Sequence, residues 1–190
     1  MKFKVVLILL FSLFLFSCGN DSIFTKSWTK LFGGNYMDTA SDISVDKNGN
    51  VYIIGNTYNN LIADENINFE GNTAFLSKFN SHGKKQWMKF FGNSNRTIGT
   101  ALALDNDDNI YITGYTVGSL DGNKNSGKYD IILLKFNSSG KKLWTKLLGT
   151  PEIDRGYAIC IDNRNNIYIT GDTYKNFTGN QFFGKSDYFI

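Results

Sequence analysis

Residues 105–116 read DNDDNIYITGYT, and the same word returns at 46–57 as DKNGNVYIIGNT and at 162–173 as DNRNNIYITGDT. Each copy opens on an aspartate, crosses a short run of Asn, Asp, Gly or Arg, and enters an apolar stretch. Asn-Gly between two alternating apolar runs is the strongest short-range hairpin signal, because those residues accept the turn's backbone angles without strain. Upstream, SDISVD (41–46) alternates Ile43 and Val45 with polar neighbours, with counterparts at 100–105 and 157–162. Downstream, AFLSKFNSHGKK (74–85) is matched by IILLKFNSSGKK (131–142). A tryptophan word completes the unit: WTKLFG (28–33), WMKFFG (87–92) and WTKLLG (144–149).

Every unit predicts four strands, which in the first copy run 41–46, 50–57, 74–80 and 86–92. After the N-terminal apolar run, no segment carries the 3.6-residue apolar period of a helix. One four-stranded sheet cannot bury both its faces, whereas copies stacked around an axis bury each other's, which is the logic of a β-propeller. The expected fold is therefore all-β, with propeller blades of four antiparallel strands in an incomplete ring of about three repeats. The words D-x-x-N/G-N-x-Y-x-x-G and K-F-N-x-x-G-K-x-x-W resemble the SBBP-type β-propeller repeats of bacterial envelope and secreted proteins, across residues 24–190. That resemblance implies the fold and leaves the activity open, since most members of the family lack an assigned biochemical role.

The repeats divide the chain unevenly. Residues 24–33 supply an isolated fourth strand, 41–92 and 100–149 two whole blades, and 157–190 a truncated blade. Asp187–Ile190 aligns with Asp130–Leu133, inside a third strand. Propellers close with 4–8 blades, so the expectation is a piece of a longer protein or, less favoured, self-association of chains to complete a ring.

Composition narrows the class further. Of 190 residues, 42% are apolar, 15% aromatic and 19% charged, with 19 Gly and one Pro. Disordered chains lack such aromatics, and coiled coils are loaded with Lys and Glu. The two cysteines, Cys18 and Cys160, exclude a disulfide-rich mini-protein.

Lys2 and Lys4 precede an apolar run from Val5 to Phe16, too short for the roughly 20 residues that span a bilayer. A basic start, a short apolar stretch and Ser17-Cys18-Gly19 have the layout of a secretory signal. Leu15-Phe16-Ser17-Cys18 resembles the lipobox of bacterial lipoprotein precursors. The resemblance implies removal of residues 1–17, acylation of Cys18 and a short linker over 18–23; a plain signal peptide or uncleaved anchor is the alternative. The implied address is the cell envelope, outside the cytoplasm and at the outer membrane, with the membrane as a partner through the N-terminal lipid. Losing Lys2 and Lys4 would lower the net charge from +3 to +1, so nothing electrostatic points to nucleic acid.

Few residues offer chemistry. Asp105, Asp107 and Asn109 mimic the start of a calcium loop, but the first and third copies place Asn48 and Arg164 at the position of Asp107. Turn closure by Asp46, Asp105 and Asp162 through their own backbone is the favoured reading. The three tryptophans fit burial between blades better than stacking on sugars. His82, the one histidine, sits in a turn, so no His-based metal site or catalytic triad is expected. Cys160, between Ile159 and Ile161, is expected to be buried and inert. Lys84-Lys85 and Lys141-Lys142 read as solvated turns.

In an up-and-down blade the 1–2 and 3–4 turns share one end and the other connections share the opposite end. The latter differ between copies, as GGNYMDTA (33–40), GNSNRTIG (92–99) and GTPEIDRG (149–156) show, and loops freed from packing are where recognition is carried. The candidate binding residues are Tyr36, Asp38, Arg96, Asp154 and Arg155. The expected function is a surface-anchored interaction module for a protein or glycan, with no cofactor. The alternatives are a propeller enzyme of hydrolase, lyase or quinone-dependent type, with Asp154 the residue to test, and an inactive fragment of a longer propeller.

Overall fold

Alternating Val, Ile and Tyr with polar or small neighbours produces strands throughout. The computed structural model describes residues 28–34, 37–58, 72–92, 96–177, 179 and 181–190. The signal-like segment, Cys18 and Tyr36 lie outside these residues. The first sheet comprises β1 (Asp38–Val45), β2 (Val51–Tyr58), β3 (Asn72–Phe79) and β4 (Lys85–Phe91). The second comprises β5 (Thr97–Leu104), β6 (Ile110–Thr116), β7 (Asp130–Phe136) and β8 (Lys142–Leu148). The third has β9 (Asp154–Ile161), β10 (Ile167–Thr173) and β11 (Asp187–Phe189). Each sheet is an antiparallel meander in chain order, and the described residues contain no helix and no closed ring.

The first strand of each sheet starts upstream of the alternating stretch. A bulge between Ala40 and Asp42, repeated between Gly99 and Ala101, inserts one extra residue. That residue inverts the alternation beyond it, which is why the period-2 pattern hides the strand's beginning.

The sheets stack face on face as wedges. β5 packs against β1, β2 and β3, and β9 against β5, β6 and β7, so the first strands converge on the inner side. The second and third sheets approach closely at Gly156, where an added Cβ would stand 2.3 Å from Thr113 Oγ1. Between the first two sheets, Tyr52, Ile54, Ala74 and Leu76 meet Ile110, Ile112, Ile132 and Leu134, all eight fully buried. Asn56 adds a polar clamp across the same junction, accepting from Gly99 N (2.9 Å) and donating to its carbonyl (3.0 Å).

The tryptophans sit at the outer rim and are half-buried rather than fully enclosed. Trp87 meets Tyr52 of its own sheet edge-on at 6.1 Å, as Trp144 meets Tyr111 at 6.0 Å. Trp87 also covers Gly140 in the next sheet's hairpin, where the left-handed φ of 81° and an indole 3.1 Å from the absent Cβ both require glycine.

Asp46, Asp105 and Asp162 do the same work in each copy. Asp105 accepts from Asp107 N, from Asn109 N and side chain, and from Tyr111 Oη. Burial opposes its charge, but these donors outweigh it and hold the carboxyl below its ordinary 3.8. Lys135 Nζ stands 3.7 Å from it and lies over the Tyr111 ring.

The third sheet corrects the expectation for Cys160, which is exposed. Its neighbour Tyr168 is 44% exposed, whereas the equivalent Tyr52 and Tyr111 are buried. The strand pattern there is the same, but no further sheet covers this face among the described residues. Lys142 also departs from a free solvated turn, pairing with Asp121.

Candidate functional site

The meander order places the divergent connections at one end of the sheets, where Asp38, Arg96, Asp154 and Arg155 all stand at the starts of first strands. Asp38 closes its own loop by accepting from Gly34 N (2.6 Å). Asp154 does likewise in the third sheet. Fully buried, it accepts from the Thr150 backbone N–H and hydroxyl and from the Thr173 hydroxyl. Asp130 and Asp187 repeat the device, accepting from Ser126 N and Phe183 N, each four residues upstream. An aspartate opening a strand thus fastens the preceding loop, a role the repeat words do not single out.

The two arginines come together at the junction of the second and third sheets. The Arg155 guanidinium lies 5.8 Å from the Tyr115 ring centre, 5.4 Å from that of Tyr129 and 5.8 Å from that of Tyr174. Its Nη1 donates to Tyr157 Oη (3.1 Å) and stands 3.7 Å from Asp172 Oδ2. Tyr157 Oη in turn donates to Asp172 Oδ2 (3.1 Å). Burial works against the Arg155 charge, but the Tyr157 hydroxyl and Asp172 more than offset it and raise its pKa. For Tyr157, burial is the largest cause of a raised pKa, and Asp172 adds to it. Arg96 joins from the second sheet, exposed, with its guanidinium 6.0 Å from the Tyr115 ring centre.

This cluster is particular to one junction. Tyr115 occupies the position of Asn56, the clamp at the first junction, and of Asp172 in the third copy. Within the strand part of the repeat word, 51–57 and its counterparts, this is the one column filled differently in all three copies, which is the signal that could have picked out Tyr115 and Asp172. Tyr129 and Tyr174 lie outside the shared words and carried no such mark, whereas Tyr157 opens the 157–162 segment at a column filled by Ser41 and Thr100 in the other copies.

A second feature sits beside it. Asp130 is fully buried and its Oδ1 has no hydrogen-bond partner. Burial raises its pKa, Ser126 N opposes that, and the nearby Asp154 charge raises it further. Asp107 is exposed, and Asn109 spends its side-chain N–H on Asp105. Asp38 belongs to the first sheet, away from the arginines.

A family model described as a β-propeller repeat (SBBP) matches residues 27–63, 86–121 and 143–178, more than half of the chain. The chain is also similar to the uncharacterized WD repeat-containing protein L264 of Acanthamoeba polyphaga mimivirus, at 22% identity over 153 residues. That alignment covers 68% of this chain and 11% of the viral protein, so the chain spans about a tenth of that relative's length.

Proposed function

This chain belongs to the SBBP β-propeller repeat family, and from that premise we propose that it is an interaction module whose divergent-loop end binds a protein or a glycan. One observation carries the reading: guanidinium and phenol groups of two neighbouring sheets cluster at that end, with Arg96 exposed beside Tyr115. Tyr and Arg faces supply large contact area and directed hydrogen bonds at little entropic cost, which is why they dominate recognition surfaces. Kinship with a WD repeat-containing protein agrees with this use of the fold without specifying a ligand.

Attachment to the envelope belongs to the same proposal. Its support is the basic start, short apolar run and Ser17-Cys18-Gly19 of the sequence. Several acyl chains on Cys18 exceed the single-chain threshold for lasting membrane binding. Metabolic labelling with a fatty acid should mark the wild-type chain and leave Cys18→Ser unlabelled.

The binding reading is tested on glycan and peptide arrays. Arg96→Ala should abolish retention with an unchanged circular dichroism spectrum, whereas Lys84→Ala at the opposite end should not affect it. Retention that depends on Lys84 and ignores Arg96 removes the proposed surface.

A further inference from the structure

At the divergent-loop end the two junctions between sheets are built differently. In the first, Asn56 clamps Gly99, and buried Ile98 holds the position equivalent to Arg155. In the second, Tyr115 replaces Asn56 and Arg155 replaces Ile98, while Arg96 stands where the third sheet has Ile153. Stacking of one sheet on the next therefore requires neither guanidinium. Both nevertheless lie over the ring of Tyr115, which sets two like charges beside one phenol.

Their neighbours cancel only part of that charge. Among the described residues no carboxylate comes within ion-pair distance of Arg96. Arg155 has Asp172 at 3.7 Å, and its buried Nε has no hydrogen-bond partner. The other acids of the junction are occupied: Glu152 pairs with Lys128 at 2.7 Å, and Asp154 accepts from Thr150 and Thr173. Burial drives Asp130 toward its neutral form. Tyr115 and Tyr129 meet at 5.5 Å with their rings 37° apart, and Arg155 lies over both. That stack orients the guanidinium in advance, so little side-chain entropy is lost on binding.

We propose that this junction binds an acidic polysaccharide, Arg96 and Arg155 taking the carboxylates of uronic acid sugars while Tyr115 and Tyr129 receive sugar faces. The assignment rests on the binding reading above and names its ligand class. The paired N–H donors of a guanidinium match the two oxygens of a planar carboxylate. The C–H face of a pyranose lies flat on a phenol ring, and its hydroxyls reach the polar groups around it. A protein partner would anchor instead through apolar side chains in a pocket. The apolar groove lined by Trp28, Phe32, Ile53 and Phe75 lies on the first sheet, away from the arginines.

Isothermal titration calorimetry of the full chain in a non-denaturing detergent, with alginate oligosaccharides as the uronate probe, should show saturable binding. Neutral dextran and poly-L-glutamate should show none, and dextran sulfate should bind more weakly than alginate. Arg96→Gln, at an exposed position, should weaken alginate binding about tenfold or more with an unchanged circular dichroism spectrum. Arg96→Lys keeps the charge but not the fork, so it should bind no better than Arg96→Gln. Lys84→Gln, at the opposite end, should bind as the wild type does. Dextran sulfate binding as tightly as alginate, or full binding by Arg96→Lys, would mean attraction by charge alone and overturns the proposal. Absence of alginate binding overturns it too. If another ligand is then retained through Arg96, the interaction surface stands and only its ligand class falls; retention indifferent to Arg96 removes both.

Discussion

At the scale of single residues, two aspartates with opposite surroundings give opposite responses to acid. Asp105 is held ionised by its donors, with its pKa lowered. Its share of stability is present above the ordinary carboxyl value of 3.8 and is lost as pH falls through the native value. Asp105→Ala strips acceptors from two backbone N–H groups and leaves Lys135 unpaired, at an expected cost of about 2–4 kcal/mol in urea denaturation. Asp130 runs the other way. Its raised pKa means that the native state takes up a proton before the unfolded chain does. Its contribution is fully present below the ordinary carboxyl value and is lost as pH rises through the native one. Asp130→Asn should therefore raise stability at neutral pH by on the order of 1 kcal/mol and flatten the gain on mild acidification. Melting temperature against pH, compared between this variant and the wild type, reads both effects, and a steeper profile in the variant would contradict the account.

At the scale of elements, the hairpins of neighbouring sheets are locked by tryptophan. Gly140 and Gly122 share a left-handed φ, 81° and 79°, but only Gly140 has an indole against it; Gly122 faces nothing within 4 Å. Both glycine-to-alanine changes incur the backbone strain, about 1–3 kcal/mol. Only Gly140→Ala should additionally lose the Trp87 contact, seen as a shift in tryptophan fluorescence and a larger drop in denaturation midpoint. Equal losses would mean that the indole adds nothing. The core divides by the same rule of cover. Ile112→Ala, between the first two sheets, should cost about 2–5 kcal/mol, whereas exposed Tyr188→Ser should stay within about 0.5 kcal/mol.

At the scale of the whole molecule, burial falls from the middle outward. Among the described residues, the second sheet is covered on both faces, the first is covered on one face and partly by residues 28–34 on the other, and the third on one face only. Stability of a stacked array is close to a sum of sheet and interface contributions, so the third sheet should open first. Native-state hydrogen exchange should show β9–β11 amides exchanging ahead of β5–β8.

The repeated words were enough to establish strands, turns, sheet order and fold class, because alternation, turn residues and hairpin glycines act over a few neighbouring positions. The turn-closing role of Asp105 was legible for the same reason, its partners lying within six residues. What the local pattern could not carry was cover. Cys160 occupies a strand position equivalent to those of Ser44 and Ala103, yet its exposure depends on a sheet that would have to stack upon it. The Arg155 cluster likewise assembles side chains from two sheets, and half its members lie outside any shared word. Strand formation is decided by neighbours in sequence, whereas burial and the meeting of Arg96, Arg155 and four tyrosines are decided by which faces stack, and that exists only in three dimensions.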